Sequence, residues 1–112
     1  QSAGQTTLPL ARRYGVGVQL ASVFGCWSGS LSGMEPKDNP RAHAMWSWCQ
    51  NRGVNLRHLA LHFALAAPIE GHVIVGPGTP KHVDEVCNEA RIPVPAEVWR
   101  DFRAEFGVGV DA

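Results

Sequence analysis

The chain has 112 residues, ten basic and ten acidic side chains, and an apolar fraction of 45%. That length suits one domain burying roughly two-thirds of its unfolded surface, and a zero net charge gives no pull toward nucleic acid or an anionic membrane. Charged residues reach only 18% while four tryptophans are present, so some apolar surface is expected to meet a partner.

Residues 1–6 are small and polar, and are expected to fray or be disordered; residues 7–112 are read as a single domain. Thr7 to Arg13 predicts a short helix with Leu8, Leu10 and Ala11 on its apolar side and Pro9 in its first turn. Tyr14-Gly15 after two arginines is a helix stop. Val16 to Ala21 reads as a strand, and Gly25 to Pro40 as a loop. A helix is expected from Arg41 to Gln50, with Pro40 at its start and Asn51-Arg52-Gly53 at its end. Asn55 is the expected N-cap of the next helix, which runs to Ala67. Its buried stripe would be Leu56, Leu59, Ala60, Phe63 and Ala64, widened by Leu61 and Leu65. Val73 to Val75 is a short strand. Thr79 or Pro80 opens a helix to about Ala90 with Val83 and Val86 inward, and Ala96 to Phe106 is the last helix with Val98, Trp99 and Phe102 inward.

This order is βα alternation, so the expected fold is α/β and helix-rich, with about two short parallel strands and four to five helices. Two strands alone do not make a stable sheet covered on both faces. Self-association through the exposed sheet edge and bare apolar faces, giving a homo-oligomer, is the physical consequence expected. The longest strongly apolar run, Leu59 to Ile69, is broken by His62 and is too short to cross a bilayer. The N-terminus carries no signal-peptide pattern. Three cysteines (Cys26, Cys49, Cys87) without CxxC spacing suggest reduced thiols packed as small hydrophobes in a cytoplasmic protein.

A strand that runs through glycines into a helix N-terminus can hold a phosphate. Gly76, Gly78 and the N–H groups after Thr79 form such a turn here; the other reading is a structural turn that binds nothing. It is not a Walker A loop, because no Gly-Lys-Ser/Thr follows. His58 and His62 share a helix face, and Cys49 could add a thiolate, but no third ligand is specified and no metal site is assigned. Cys26 sits in a Gly/Ser loop with nothing nearby to lower its pKa. Asp84, Glu85, Glu89 and Arg91 read as a solvated helix face, so no carboxylate pair stands out for acid–base work. Trp46 and Trp48, two apart on a helix, point different ways, one to the core and the other outward.

Four stretches resemble the C-terminal part of the aldo/keto reductases. Arg13-Tyr14-Gly15-Val16-Gly17-Val18, with Phe24 and Ser28-Gly29-Ser30-Leu31, looks like the seventh barrel strand and its loop. Gly53-Val54-Asn55-Leu56, Ala60 to Leu65 and Pro68 resemble the helix before the eighth strand. Val73-Ile74-Val75-Gly76, Thr79-Pro80 and Val83 resemble that strand and its phosphate-binding turn, and Ile92-Pro93-Val94-Pro95-Ala96-Glu97-Val98-Trp99 the C-terminal segment. The match covers about residues 8–108, and the nearest subgroup is the bacterial sugar and pyridoxal dehydrogenases.

The resemblance implies part of a (β/α) barrel whose whole is about 250 residues or more. It also implies a nicotinamide cofactor, NADP or NAD, with its adenosine phosphate at Gly76, Gly78 and Thr79 and its pyrophosphate under Ser28, Gly29, Ser30 and Leu31. The family's catalytic tyrosine, lysine, aspartate and histidine lie on earlier strands and have no counterpart here. Tyr14, the sole tyrosine, precedes the seventh strand and is not that residue. The loop with Cys26 and Trp27 is longer than usual, Gly78 replaces a basic residue that often meets a 2′-phosphate, and Val86 replaces an asparagine that often contacts adenine. Two functions follow: a reductase C-terminal piece, active as an oxidoreductase only when an upstream half completes it, or a small oligomeric binding protein without catalysis.

Overall fold

The computed structural model describes residues 5–24, 31–75 and 79–110. Five helices and two strands occur among them: α1 (Thr7–Arg13), β1 (Val18–Leu20), α2 (Pro40–Arg52), α3 (Leu56–Leu65), β2 (Gly71–Val73), α4 (Pro80–Arg91) and α5 (Ala96–Phe106). The fold is α/β and helix-rich. β1 and β2 pair in parallel, with Val18 opposite Gly71, Gln19 opposite His72 and Leu20 opposite Val73. A parallel pair needs a crossover, and α2 and α3 supply it.

The strand boundaries differ from the sequence reading for local reasons. Val16 donates its N–H back to Ala11 of α1 at 2.9 Å, so it is spent before β1 begins. β2 starts two residues earlier than the β-branched run, because Gly71 lets the chains approach: a Cβ there would lie 1.7 Å from the Val18 carbonyl oxygen. The ladder opens with Val18 N–H to Glu70 O at 2.9 Å and closes with Ile74 N–H to Leu20 O at 2.7 Å. Val18, Leu20 and Val73 are half-buried on one face; Gln19 and His72 stand exposed on the other.

Capping explains the helix ends. The Asn39 side chain accepts from the Ala42 N–H ahead of Pro40, extending α2 one residue earlier than expected. Asn51 and Arg52 stay helical, and Gly53 closes α2 at φ 68°, with Val54 N–H reaching back to Cys49 O at 2.9 Å. Asn55 caps α3 through the Arg57 N–H at 2.9 Å, as its position suggested. Approaching Pro68, α3 stops at Leu65 rather than Ala67. α5 has the expected bounds and ends at Gly107 with φ 75°.

The core is helical. Met45, Cys49, Leu56, Leu59, Val94, Trp99 and Phe102 form one buried cluster between α2, α3 and α5. Trp46 and Trp48 do not divide between core and solvent: both are half-buried against it. Trp46 Nε1 donates to Gly33 O at 3.3 Å, and Trp48 meets Phe102 edge-on at 5.3 Å. Phe63 and Leu65, expected in the α3 stripe, are 39% and 47% exposed, whereas Leu61, expected to widen that stripe, is buried. Leu10 and Val83 also face out, and α1 buries only Leu8. No helix among the described residues is long and apolar enough to cross a membrane.

Candidate functional site

Among the candidate cofactor-contacting residues, Leu31 and Thr79 are described; Ser28, Gly29, Ser30, Gly76 and Gly78 lie outside the described residues. Leu31 is half-buried against the core, and its N–H donates to Phe24 O at 2.9 Å, tying the two ends of that loop together. Thr79 is the N-cap of α4. Its hydroxyl accepts from His82 N–H at 3.2 Å, and its carbonyl from Val83 N–H at 3.1 Å. Pro80 has no N–H, so the helix leaves the Thr79 and Lys81 amides without an intrahelical partner. These amides and the positive end of the helix dipole suit an anion.

Beyond the carboxyl end of β1 opens an apolar cleft of about 290 Å³. Leu20, Ala21 and Val23 form its strand side, Met45, Leu59 and Phe63 its helical wall, and Trp99, Phe102 and Val108 its floor. Parallel sheets bind ligands at this end of their strands. Among the described residues the lining carries no acid, base or nucleophile; these side chains can exclude water and grip an apolar surface.

Chemistry-bearing side chains gather elsewhere, between α3 and α4. Arg57 reaches across to Glu89 with two nitrogens, Nε lying 3.0 Å from Oε2, while Nη1 lies 3.3 Å from Glu85 Oε2. The hydrogen bond to Glu89 is the main reason its pKa rises above the ordinary arginine value. Glu85 and Glu89, read from sequence as a solvated face, are therefore paired. That pairing was not visible in the sequence, because the partner lies 32 residues from Glu89 and only the fold brings the two helices together.

His58 and His62 share a face, as their spacing required, with rings 4.8 Å apart. Their Nε2 atoms meet Ile92 O at 2.6 Å and Glu89 O at 2.7 Å. A carbonyl only accepts, so each ring carries a proton on Nε2, and the two imidazoles cap the carboxyl end of α4. Among the described residues no group of three potential metal-ligating side chains is assembled.

Cys49 is fully buried, and burial pushes its thiol up to about 11. Cys87 is exposed on α4, against the expectation that it packs as a hydrophobe; Cys26 lies outside the described residues. Tyr14 is exposed just past the end of α1, with the Arg13 guanidinium 5.7 Å from its ring centre.

No family model matches the chain. It is similar to the D-threo-aldose 1-dehydrogenase of a Pseudomonas species, 28% identical over 115 aligned positions that span 91% of this chain and 34% of that protein. The chain thus spans about a third of the length of the relative it matches.

Proposed function

We propose that the chain is the cofactor-side portion of an aldo/keto-reductase-like (β/α) barrel, an oxidoreductase unit that needs further strands for activity. The observation that carries this reading is the coincidence of two independent findings. The alignment with an aldose dehydrogenase runs through nearly the whole chain. The parallel β1–β2 pair also leads, through the residues after Val75, into an α4 capped by Thr79, where the Thr79 and Lys81 amides have no intrahelical partner.

In the completed enzyme a nicotinamide cofactor, NADP or NAD, would supply hydride transfer to or from a carbonyl or sugar. Thr79, Gly76 and Gly78 would hold its adenosine phosphate, and Ser28, Gly29, Ser30 and Leu31 its pyrophosphate. The fit is to the phosphate end: α4 offers amides and a helix dipole, while the cleft offers apolar walls that keep water out. The proton donor would come from the other strands of such a barrel. Alone, the 112 residues should bind weakly and reduce nothing.

The direct test is a chimera in which this chain replaces the matching third of the Pseudomonas dehydrogenase. Aldose-dependent formation of reduced nicotinamide by that chimera is expected. A folded chimera with no nicotinamide affinity would reject the reading.

A second reading, a small homo-oligomeric binding protein, is favoured by one observation. Val16 and Ile74, which flank the sheet, are both exposed, and each strand is an open edge among the described residues. Its test is sedimentation of the isolated chain: a concentration-dependent mass supports it, and a monomer at high concentration rejects it.

A further inference from the structure

α4 is the one long helix here that buries nothing, yet it lies against α3. Its attachment is polar. Arg57 bridges Glu85 and Glu89, which stand four apart on α4 and would repel each other without it. His58 and His62 hold the carbonyls of Ile92 and Glu89 at the other end. All three cationic or donor groups come from a six-residue stretch of α3, and all four acceptors come from the last two turns of α4 and its C-cap. Arg57 and Glu89 are largely sheltered, their side chains 18% and 17% exposed, so water replaces their bond poorly when one partner is lost.

We infer that Arg57 is a positioning residue. With His58 and His62 it forms a clamp that fixes where α4 lies, and α4 detaches as a unit when that clamp is broken while the apolar core stays folded. Through α4 the clamp also sets the placement of Thr79 and Lys81, a consequence that rests on the phosphate reading above.

The test compares backbone hydrogen exchange in the wild-type chain, Arg57→Glu, Arg57→Met and the swap Arg57→Glu with Glu89→Arg. Exchange of the α4 amides is expected to rise on the order of tenfold or more in both single variants, with α2 and α5 amides unchanged, and to fall back toward wild type in the swap. Unchanged α4 exchange in Arg57→Met, or a swap no better than Arg57→Glu, would overturn the clamp. A rise shared equally by α2 and α5 would overturn it too, since it would mean that α4 is part of the cooperative core. Titration of the same proteins with NADPH, read by tryptophan fluorescence, separates the two ideas. No response from wild type counts against the phosphate site alone, whereas a response equal in wild type and Arg57→Met shows that the clamp does not set the Thr79 end.

Discussion

The molecule has two halves built on different physics. α2, α3 and α5 share an apolar core in which Leu59 and Trp99 are 2% and 5% exposed. The β1–β2 pair and α4 contribute no residue to that buried cluster. They are held by a short ladder, one close backbone approach at Gly71, and the charged contacts of Arg57. Burial is non-directional and tolerates repacking; the polar contacts work only in one geometry. The first half is therefore self-sufficient, and the second half, which carries the candidate phosphate site, depends on what is placed against it. That dependence is what the proposed barrel reading requires.

The largest test of this contrast is in the core. Trp99→Ala should cost about 3–5 kcal/mol and Leu59→Ala about 2–5 kcal/mol, lowering the denaturant midpoint of the whole chain. Gly71→Val comes next. The added side chain has no room against the Val18 carbonyl, so the strands must part, at a cost on the order of 1–3 kcal/mol. Its signature should be local: amides of Val18 and Ile74 lose protection while those of α2 and α5 keep theirs. A global loss equal to that of Trp99→Ala would merge the two halves into one.

Much of the first half is legible in sequence because its signals are local. Gly53 and Gly107 end helices in the left-handed region, Asn55 caps α3, and Trp99 and Phe102 recur at helical spacing. The second half is less so. Val83 sits on the inward-reading stripe of α4 yet is exposed, since no described element covers that face. Asn39 hid its capping role behind the more conspicuous Pro40. The start of α4 was legible, as Thr79-Pro80 after a β-branched run, whereas the cleft was not, because its walls come from segments far apart in the chain.

Cap removal should sharpen the contrast at a smaller scale. Asn55→Ala is expected to cost about 1 kcal/mol and to appear in the global unfolding curve, because α3 crosses the core. Thr79→Ala removes a similar cap but should appear mainly as fraying of α4. The cysteines mark the halves independently: Cys87 should react with a thiol reagent at neutral pH in the folded chain, and Cys49 only on unfolding. Because burial raises the Cys49 thiol from 9.0 to about 11, the folded state holds that proton more tightly than the unfolded one. Its contribution is intact below pH 9 and is lost as the pH climbs through 11. Cys49→Ala should flatten that alkaline decline in thermal melts, and an unchanged slope would place its cause elsewhere.

The smallest expected effect lies at the surface of the core half. Arg52 joins α2 to α5 through Asp101, Nη2 to Oδ2 at 2.6 Å, and also stacks over Trp48 at 4.7 Å. The hydrogen bond from Arg52 holds the Asp101 carboxyl below its usual range. A carboxyl depressed on folding stabilises the folded state at pH values above its unfolded pKa and gives that up as the pH falls through the folded one. The loss therefore belongs to the acid side of pH 4, and Asp101→Asn should remove it there while leaving neutral stability nearly unchanged, because the pair is open to solvent and screened. Arg52→Ala should cost more than Asp101→Asn at neutral pH, since it also uncovers Trp48. Equal costs for the two variants would assign the whole contact to charge, and would weaken the view that this half stands on apolar packing.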